Sequence, residues 1–186
     1  MTATFAIDHA MVTLDRLDVP AAMYRLDEIV AAYIEVYAHT GDPFFGEERF
    51  RLQFAGHMQA PAWELVTADL DDELVGFAYG FALPATTSWW RELATKVPMG
   101  FTDEDGHRTL AISQMVVRAP WRRQHVGRRL HDTLLSGRSE KRATVLIEPD
   151  NEPAQAAYAA WGWHKVAQLR PGWASAPLYD VLVLER

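Results

Sequence analysis

An alternation of apolar strands with helical segments between Thr109 and Gly162 limits this chain more than any other feature. TLAISQMVV at 109–117 is an apolar-rich run, followed by a helical pattern from about Gly127 to Arg138. ATVLI at 143–147 repeats the run, and a second helical pattern spans about Glu152 to Trp161. Short apolar runs separated by helices imply neighbouring parallel strands with right-handed crossovers. Two more strands are expected near 164–169 and 178–184.

The N-terminal half reads differently. Residues 11–17 form a first strand, and Asp18-Val19-Pro20 supplies a cap and a first-turn proline for a helix. Met23, Leu26, Val30, Tyr33 and Tyr37 recur at helical spacing and predict one apolar face. Thr40 to Pro43 ends that helix, and a second runs from about Glu47 to Met58 with Phe50 and Phe54 on one side. Trp63–Leu70 and Glu73–Leu83 flank Asp71-Asp72, a β-hairpin signal. Gly76 and Gly80 inside the second strand point to a bulge or a close backbone approach. Residues 84–108 are a long connection with Trp89-Trp90 and one expected helical turn; such length favours a functional role. The fold class expected is α/β (α+β): a mixed, mostly antiparallel sheet with a central parallel strand pair, flanked by helices. One domain over 1–186 fits the length.

Charge is distributed unevenly. The net charge is −7, yet residues 1–100 hold 6 Lys and Arg against 15 Asp and Glu, while residues 101–186 hold 12 against 10. The window 118–142 carries eight basic residues, among them Arg118, Arg122, Arg123, Arg128 and Arg129. Tracking nucleic acid requires an extended basic face, so an acidic chain with one short basic segment excludes it. Gripping one small polyanion is the chemistry that remains, beside the plainer reading of a solvated helix face. A strand running into a basic turn at a helix N-terminus aims backbone N–H groups and the helix dipole at an anion. The absence of cysteine excludes disulfide and thiolate chemistry. No signal-like or membrane-length apolar segment is present, so a cytoplasmic protein without membrane partners is expected. The histidines show no metal spacing, and no metal is expected.

Three landmarks in the segment 110–166 resemble the core of the GNAT N-acetyltransferase superfamily. Val116-Val117 leads to Trp121-Arg122 and Gly127, like the family's pyrophosphate loop. Asn151 follows the next strand, and Ala154, Tyr158 and Gly162-Trp163 are similar to its Asn…Ala…Tyr…Gly-aromatic signature. The resemblance implies acetyl-CoA as cosubstrate, an acceptor-side half at 1–108, a cofactor core at 109–166 and a closing strand at 167–186. It places the pantetheine arm against backbone groups of Met115 and Val117, beside Val116. Pyrophosphate is then expected on the loop of Arg122, Arg123, Gln124, His125, Val126 and Gly127, with the Arg122 and Arg128 side chains assisting. Arg123 and Arg129 are read as solvated. The loop departs from the family at His125, where glycine is usual; a side chain there requires negative φ.

The resemblance also puts Tyr158 beside the thioester sulfur, where a phenol of pKa about 10 can protonate a departing thiolate. A core aromatic paired with Trp161 is the plainer account. An amine acceptor must lose a proton before attack, but the strand position where some family members carry glutamate is Ala111. Glu148, at the end of the next strand, is the nearest carboxylate, unless it caps the following helix. His57, His107 or a water held by Ser113 are the other bases. Trp89, Trp90 and Phe44-Phe45 are candidates for an acceptor pocket. The expected activity is direct acetyl transfer to a small, cationic primary amine. A non-catalytic acyl-CoA-binding module is the alternative, and the resemblance favours a homodimer.

Overall fold

In the computed structural model, which describes residues 12–172 and 176–186, Met11 lies outside the described residues and the first strand, β1, is Thr13–Leu17. Two compact units are present, one within Met1–Gln59, Trp63–Gly80 and Gln114–Arg138, the other comprising Ala60–Ala62, Phe81–Ser113 and Ser139–Arg186. Seven strands make a mixed, mostly antiparallel sheet with one parallel pair, flanked by helices, the expected fold class.

In the first unit Asp18 caps α1 (Val19–Tyr24) by accepting from the Ala21 N–H at 3.0 Å, with Pro20 in the first turn. The single helix expected there is interrupted at Arg25, and α2 (Leu26–Tyr37) begins anew. Arg25 is drawn from helical geometry by its guanidinium, which donates to Asp69 at 2.6 Å and Glu28 at 2.8 Å. The break turns Met23 outward, to 47% exposure, against its expected place on the apolar face. Val30 and Tyr33 are buried as expected, joined by Ile29 and Ala32. The helix α3 (Glu47–His57) buries Phe50 and Phe54 as its spacing predicts, and Tyr33 stacks on Phe50 with centroids 3.8 Å apart.

The hairpin follows its sequence closely. β2 (Glu64–Leu70) and β3 (Glu73–Ala82) pair antiparallel across Asp71 and Asp72, both at positive φ, as a two-residue type I′ turn requires. Register shifts after Ala68, which faces Gly76, while Asp69 faces Leu74. Val75 is therefore a bulge residue, beside one of the two glycines that signalled it. β4 (Thr109–Val117) ends in this unit and is followed by a 3₁₀ turn, Ala119–Trp121, and by α4 (Val126–Leu135). Val126, Leu130 and Leu134 form the buried face of α4. The helix stops short of Arg138 because Arg16 reaches its last turn, donating to the carbonyls of Thr133 and Ser136.

The second unit holds the start of β4, then β5 (Arg142–Ile147), α5 (Glu152–Ala160), β6 (His164–Leu169) and β7 (Tyr179–Glu185). β5 and β6 both pair antiparallel with β7. The parallel ladder of β4 and β5 runs from Thr109↔Arg142 to Ile112↔Val145. The residues of that ladder are buried, whereas Ser113 on β4 and Leu146 on β5 are only half-buried. No helix forms among residues 84–108; the turn expected there is present only as isolated hydrogen-bonded turns, such as the one across Trp89-Trp90 closed by the Arg91 N–H on the Ser88 carbonyl at 3.0 Å. Other bonds compete with a helix: locally, Thr87 Oγ1 accepts from the Trp89 N–H, and at long range Leu93 bridges to Leu169.

That connection is anchored by a buried ion pair. The side chains of Arg142 and Glu104 are 4% and 0% exposed. Glu104 Oε1 accepts from Arg142 Nη2 at 2.9 Å, Thr109 Oγ1 at 2.7 Å and Trp90 Nε1 at 2.9 Å. Arg142 also donates to Thr109 Oγ1 and to the Phe101 carbonyl. Removing one partner of such a pair leaves an uncompensated buried charge, so Arg142→Met is expected to cost about 3–5 kcal/mol in urea unfolding. Adding Glu104→Gln, which keeps an acceptor for Trp90 and Thr109 but removes the charge, should recover at least half of that loss. A double variant no more stable than Arg142→Met would show that charge is not what the network neutralises.

Candidate active site

The first unit holds one group of candidate residues, at the end of β4 and in the loop after it. Gly76 of β3 lies against the strand end so closely that a methyl group there would sit 2.7 Å from the Val116 carbonyl oxygen and 3.4 Å from Val117 Cα. The bulge carbonyl of Val75 accepts from the Arg118 N–H at 3.0 Å. Arg118 itself is held between Glu35 and Glu73, both at 2.5 Å. Its guanidinium is thus committed within the fold at the point where β4 gives way to the loop.

Two residues of that loop have left-handed backbone, Arg123 at φ 57° and His125 at φ 60°. The negative φ required of His125 is not adopted. His125 directly precedes α4, and its carbonyl accepts the first intrahelical bond, from the Arg129 N–H at 3.0 Å. The amides of Val126 and Gly127 therefore precede the first intrahelical donor, the Arg129 N–H, and lie at the positive end of the helix dipole. His125 takes the conformation that glycine takes without cost, so the loop keeps a glycine-type path with a histidine in it.

The side chains around the loop serve it in different ways. Arg122 Nε donates to the Val117 carbonyl at 2.9 Å, folding its guanidinium over the end of β4. Gln124 donates to the Pro120 carbonyl at 2.7 Å and braces the loop from inside. Arg128 pairs with Asp132 one turn on, at 2.6 Å. Arg129, read as solvated, instead donates to the Val12 carbonyl at 2.8 Å, because its position on α4 turns it toward the chain entering β1. Arg123 is exposed, as expected. Met115, Val116, Val117 and the residues from Arg122 to Arg128 thus come together in one unit.

Glu148, Asn151, Ala154 and Tyr158 come together in the other unit. Asn151 caps α5 by accepting from the Ala154 N–H at 3.2 Å, so these two signature residues form a helix start. The capping role considered for Glu148 belongs to Asn151. Glu148 is half-buried, and its carbonyl accepts from the Asn151 N–H at 3.0 Å. Tyr158 is 4% exposed, with its ring centroid 5.2 Å from Trp161 and 5.1 Å, edge-on, from Trp163. The tryptophans account for the burial of its ring and fix its direction.

The other base candidates fare unequally. Burial pushes the His57 imidazole down from 6.5 to about 4, and its Nδ1 lies 3.1 Å from the Tyr79 hydroxyl. A group so weakly basic takes up a proton poorly at neutral pH. His107 is exposed on a loop. Phe45 lines a cavity of about 260 Å³ with Ile34, Tyr37, Asp42 and Glu47, while Phe44 lies outside it beneath the Arg49 guanidinium. Trp90 is taken up by the Glu104 network, and Trp89 packs edge-on against Phe81.

Comparison with known proteins gives one family. The sequence profile of the acetyltransferase (GNAT) family matches residues 26–163. No curated protein sequence matches. Among solved structures, an acetyltransferase from Thermus thermophilus is 17% identical with a TM-score of 0.60, covering 95% of this chain and 99% of that one. The ribosomal-protein-S18-alanine N-acetyltransferase of Escherichia coli is 18% identical, with a TM-score of 0.61 and 94% of each chain covered. The PaiA N-acetyltransferase of Thermoplasma acidophilum, solved with coenzyme A, is 8% identical at a TM-score of 0.59, covering 94% of this chain and 99% of its own. These likenesses are of fold.

The backbone at His125 makes its own prediction. A β-branched side chain is strained at φ near +60°, so His125→Val should lower unfolding free energy by about 1–2 kcal/mol. For His125→Gly, relief of strain is offset by the greater chain entropy of glycine, and the change should stay within about 1 kcal/mol. A His125→Val variant as stable in urea melts as the wild-type chain would contradict the left-handed geometry.

Proposed function

The chain belongs to the GNAT acetyltransferase family, and on that premise we propose that it moves the acetyl group of acetyl-CoA directly to the primary amine of a small, cationic acceptor. One observation carries the reading. In the first unit, the end of β4 runs into a loop with two left-handed residues that ends at the N-terminus of α4. Such a loop accepts pyrophosphate on backbone amides, here those of Arg122 to Gly127, and the strand before it offers Met115 and Val117 to an extended arm. With Arg122 folded onto the Val117 carbonyl, the strand's remaining backbone groups and the loop amides are the main cofactor contacts.

Acetyl-CoA supplies the activated thioester. An amide on the strand of Val117 polarises its carbonyl, Glu148 takes a proton from the acceptor's ammonium, and the neutral amine then attacks the thioester carbon, forming the N–C bond as the C–S bond breaks. Tyr158, its ring fixed between two tryptophans, donates a proton to the departing thiolate. A neutral donor suits a thiolate forming away from water. The acidic excess of residues 1–100 favours a cationic acceptor, and the cavity lined by Ile34, Tyr37 and Phe45 with Asp42 and Glu47 accommodates an amine with an apolar portion.

Thiol release from acetyl-CoA, followed across a panel of primary amines, tests this directly. Release with at least one amine is expected. Tyr158→Phe should lower kcat by about 100-fold or more while acetyl-CoA affinity stays within about threefold. A wild-type protein that binds acetyl-CoA and releases no thiol with any amine would be a binding module instead. Unchanged turnover in Tyr158→Phe would remove that residue from the mechanism.

A further inference from the structure

Asp180 is the one buried carboxylate of β7, a strand whose next three residues, Val181, Leu182 and Val183, are all buried and apolar. It is 6% exposed and lies opposite Ile147 of β5 and Gln168 of β6. Donors from β6 and α5 meet on its two oxygens. Oδ1 accepts from Lys165 Nζ at 2.6 Å and from Gln168 Nε2 at 3.0 Å. Oδ2 accepts from Gln155 Nε2 of α5 at 3.3 Å.

Gln155 does not stop there. The same Nε2 donates to the Glu148 carbonyl at 3.3 Å. A carboxamide nitrogen has two hydrogens, and the two bonds use both. Gln155 also lies three residues before Tyr158, a spacing that puts both on one side of α5. One side chain on β7 is thereby linked to the backbone of the proposed base and to the helix of the proposed acid. A carboxylate is suited to this because it only accepts; an asparagine would turn an N–H₂ group toward one of its donors.

We propose that Asp180 is a positioning residue for acetyl transfer, setting the turn that carries Glu148 and the helix that carries Tyr158 through Gln155. The assignment rests on the roles given above to Glu148 and Tyr158. Asp180 touches neither the cofactor nor the acceptor in this account, so its loss acts on kcat and spares cofactor binding.

The test compares Asp180→Asn, Gln155→Met and the double variant with the wild-type chain. Each single change should lower kcat for thiol release about tenfold or more, with KM for acetyl-CoA within twofold, and the double should be no slower than the slower single. Amide hydrogen exchange is the second readout, and it needs no turnover. Both singles should speed exchange over residues 151–158 and leave residues 126–135 unchanged. If the wild-type chain releases no thiol, the functional reading fails while exchange still decides the positioning. If Asp180→Asn fails to fold, Gln155→Met carries both readouts. Unchanged kcat, multiplicative losses in the double variant, or exchange that is unaltered or raised throughout the chain overturns the proposal.

Discussion

The contact between Gly76 and the end of β4 is the constraint from which the path of the loop before α4 follows. No side chain fits between the bulge of β3 and the Val116 carbonyl, so the two backbones meet directly. The Val75 carbonyl then takes the Arg118 N–H, and Glu35 and Glu73 hold its guanidinium. β4 therefore leaves the sheet from a fixed point and in a fixed direction. The loop that follows inherits both, and its two left-handed residues bring the chain round to the start of α4 within a few positions. In the proposed reading, the anion is held here by backbone path more than by charge.

The fate of the basic segment supports that emphasis. Eight basic residues between 118 and 142 suggested a cationic grip. Several of them serve the fold instead. Arg118 bonds to two carboxylates, Arg128 pairs within its helix, Arg129 holds the chain before β1, and Arg142 is buried with Glu104. Arg122, expected to assist at the pyrophosphate, donates to the Val117 carbonyl at the strand end. Exposed pairs such as Arg128 with Asp132 contribute little to stability, and ligand can displace them. The buried pair of Arg142 cannot be spared in that way.

Much of this was legible in the sequence because period and punctuation agree. The run 109–117 is β4 to the residue, Asp71-Asp72 is the hairpin turn, and Asn151 before an alanine-rich stretch is a helix cap. Gly76 signalled a bulge or a close approach, and the structure has both, the bulge at Val75 and the Val116 carbonyl against Gly76. The readings that failed depended on partners distant in sequence. Arg25 breaks its helix for the sake of Asp69, more than forty positions on. Arg129 turns from solvent to reach Val12, and residues 84–108 follow Glu104 and Arg142 rather than their local helical tendency. His125 is of another kind: nothing in the residue type foretells φ of 60°, and only the glycine usual at that place hinted at it. Asp180 gave no sequence signal at all, since a lone aspartate near a chain end becomes informative only when β5, β6, β7 and α5 converge on it.

The central claim is that backbone amides of one strand end and one helix start bind a CoA-type cofactor. Amide chemical shifts of the isotopically labelled protein, followed while coenzyme A is added, test it residue by residue. The account predicts saturable shifts concentrated at Met115 to Val117 and at Arg122 to Arg128. Shifts absent at millimolar coenzyme A, or concentrated elsewhere with these amides silent, would contradict it.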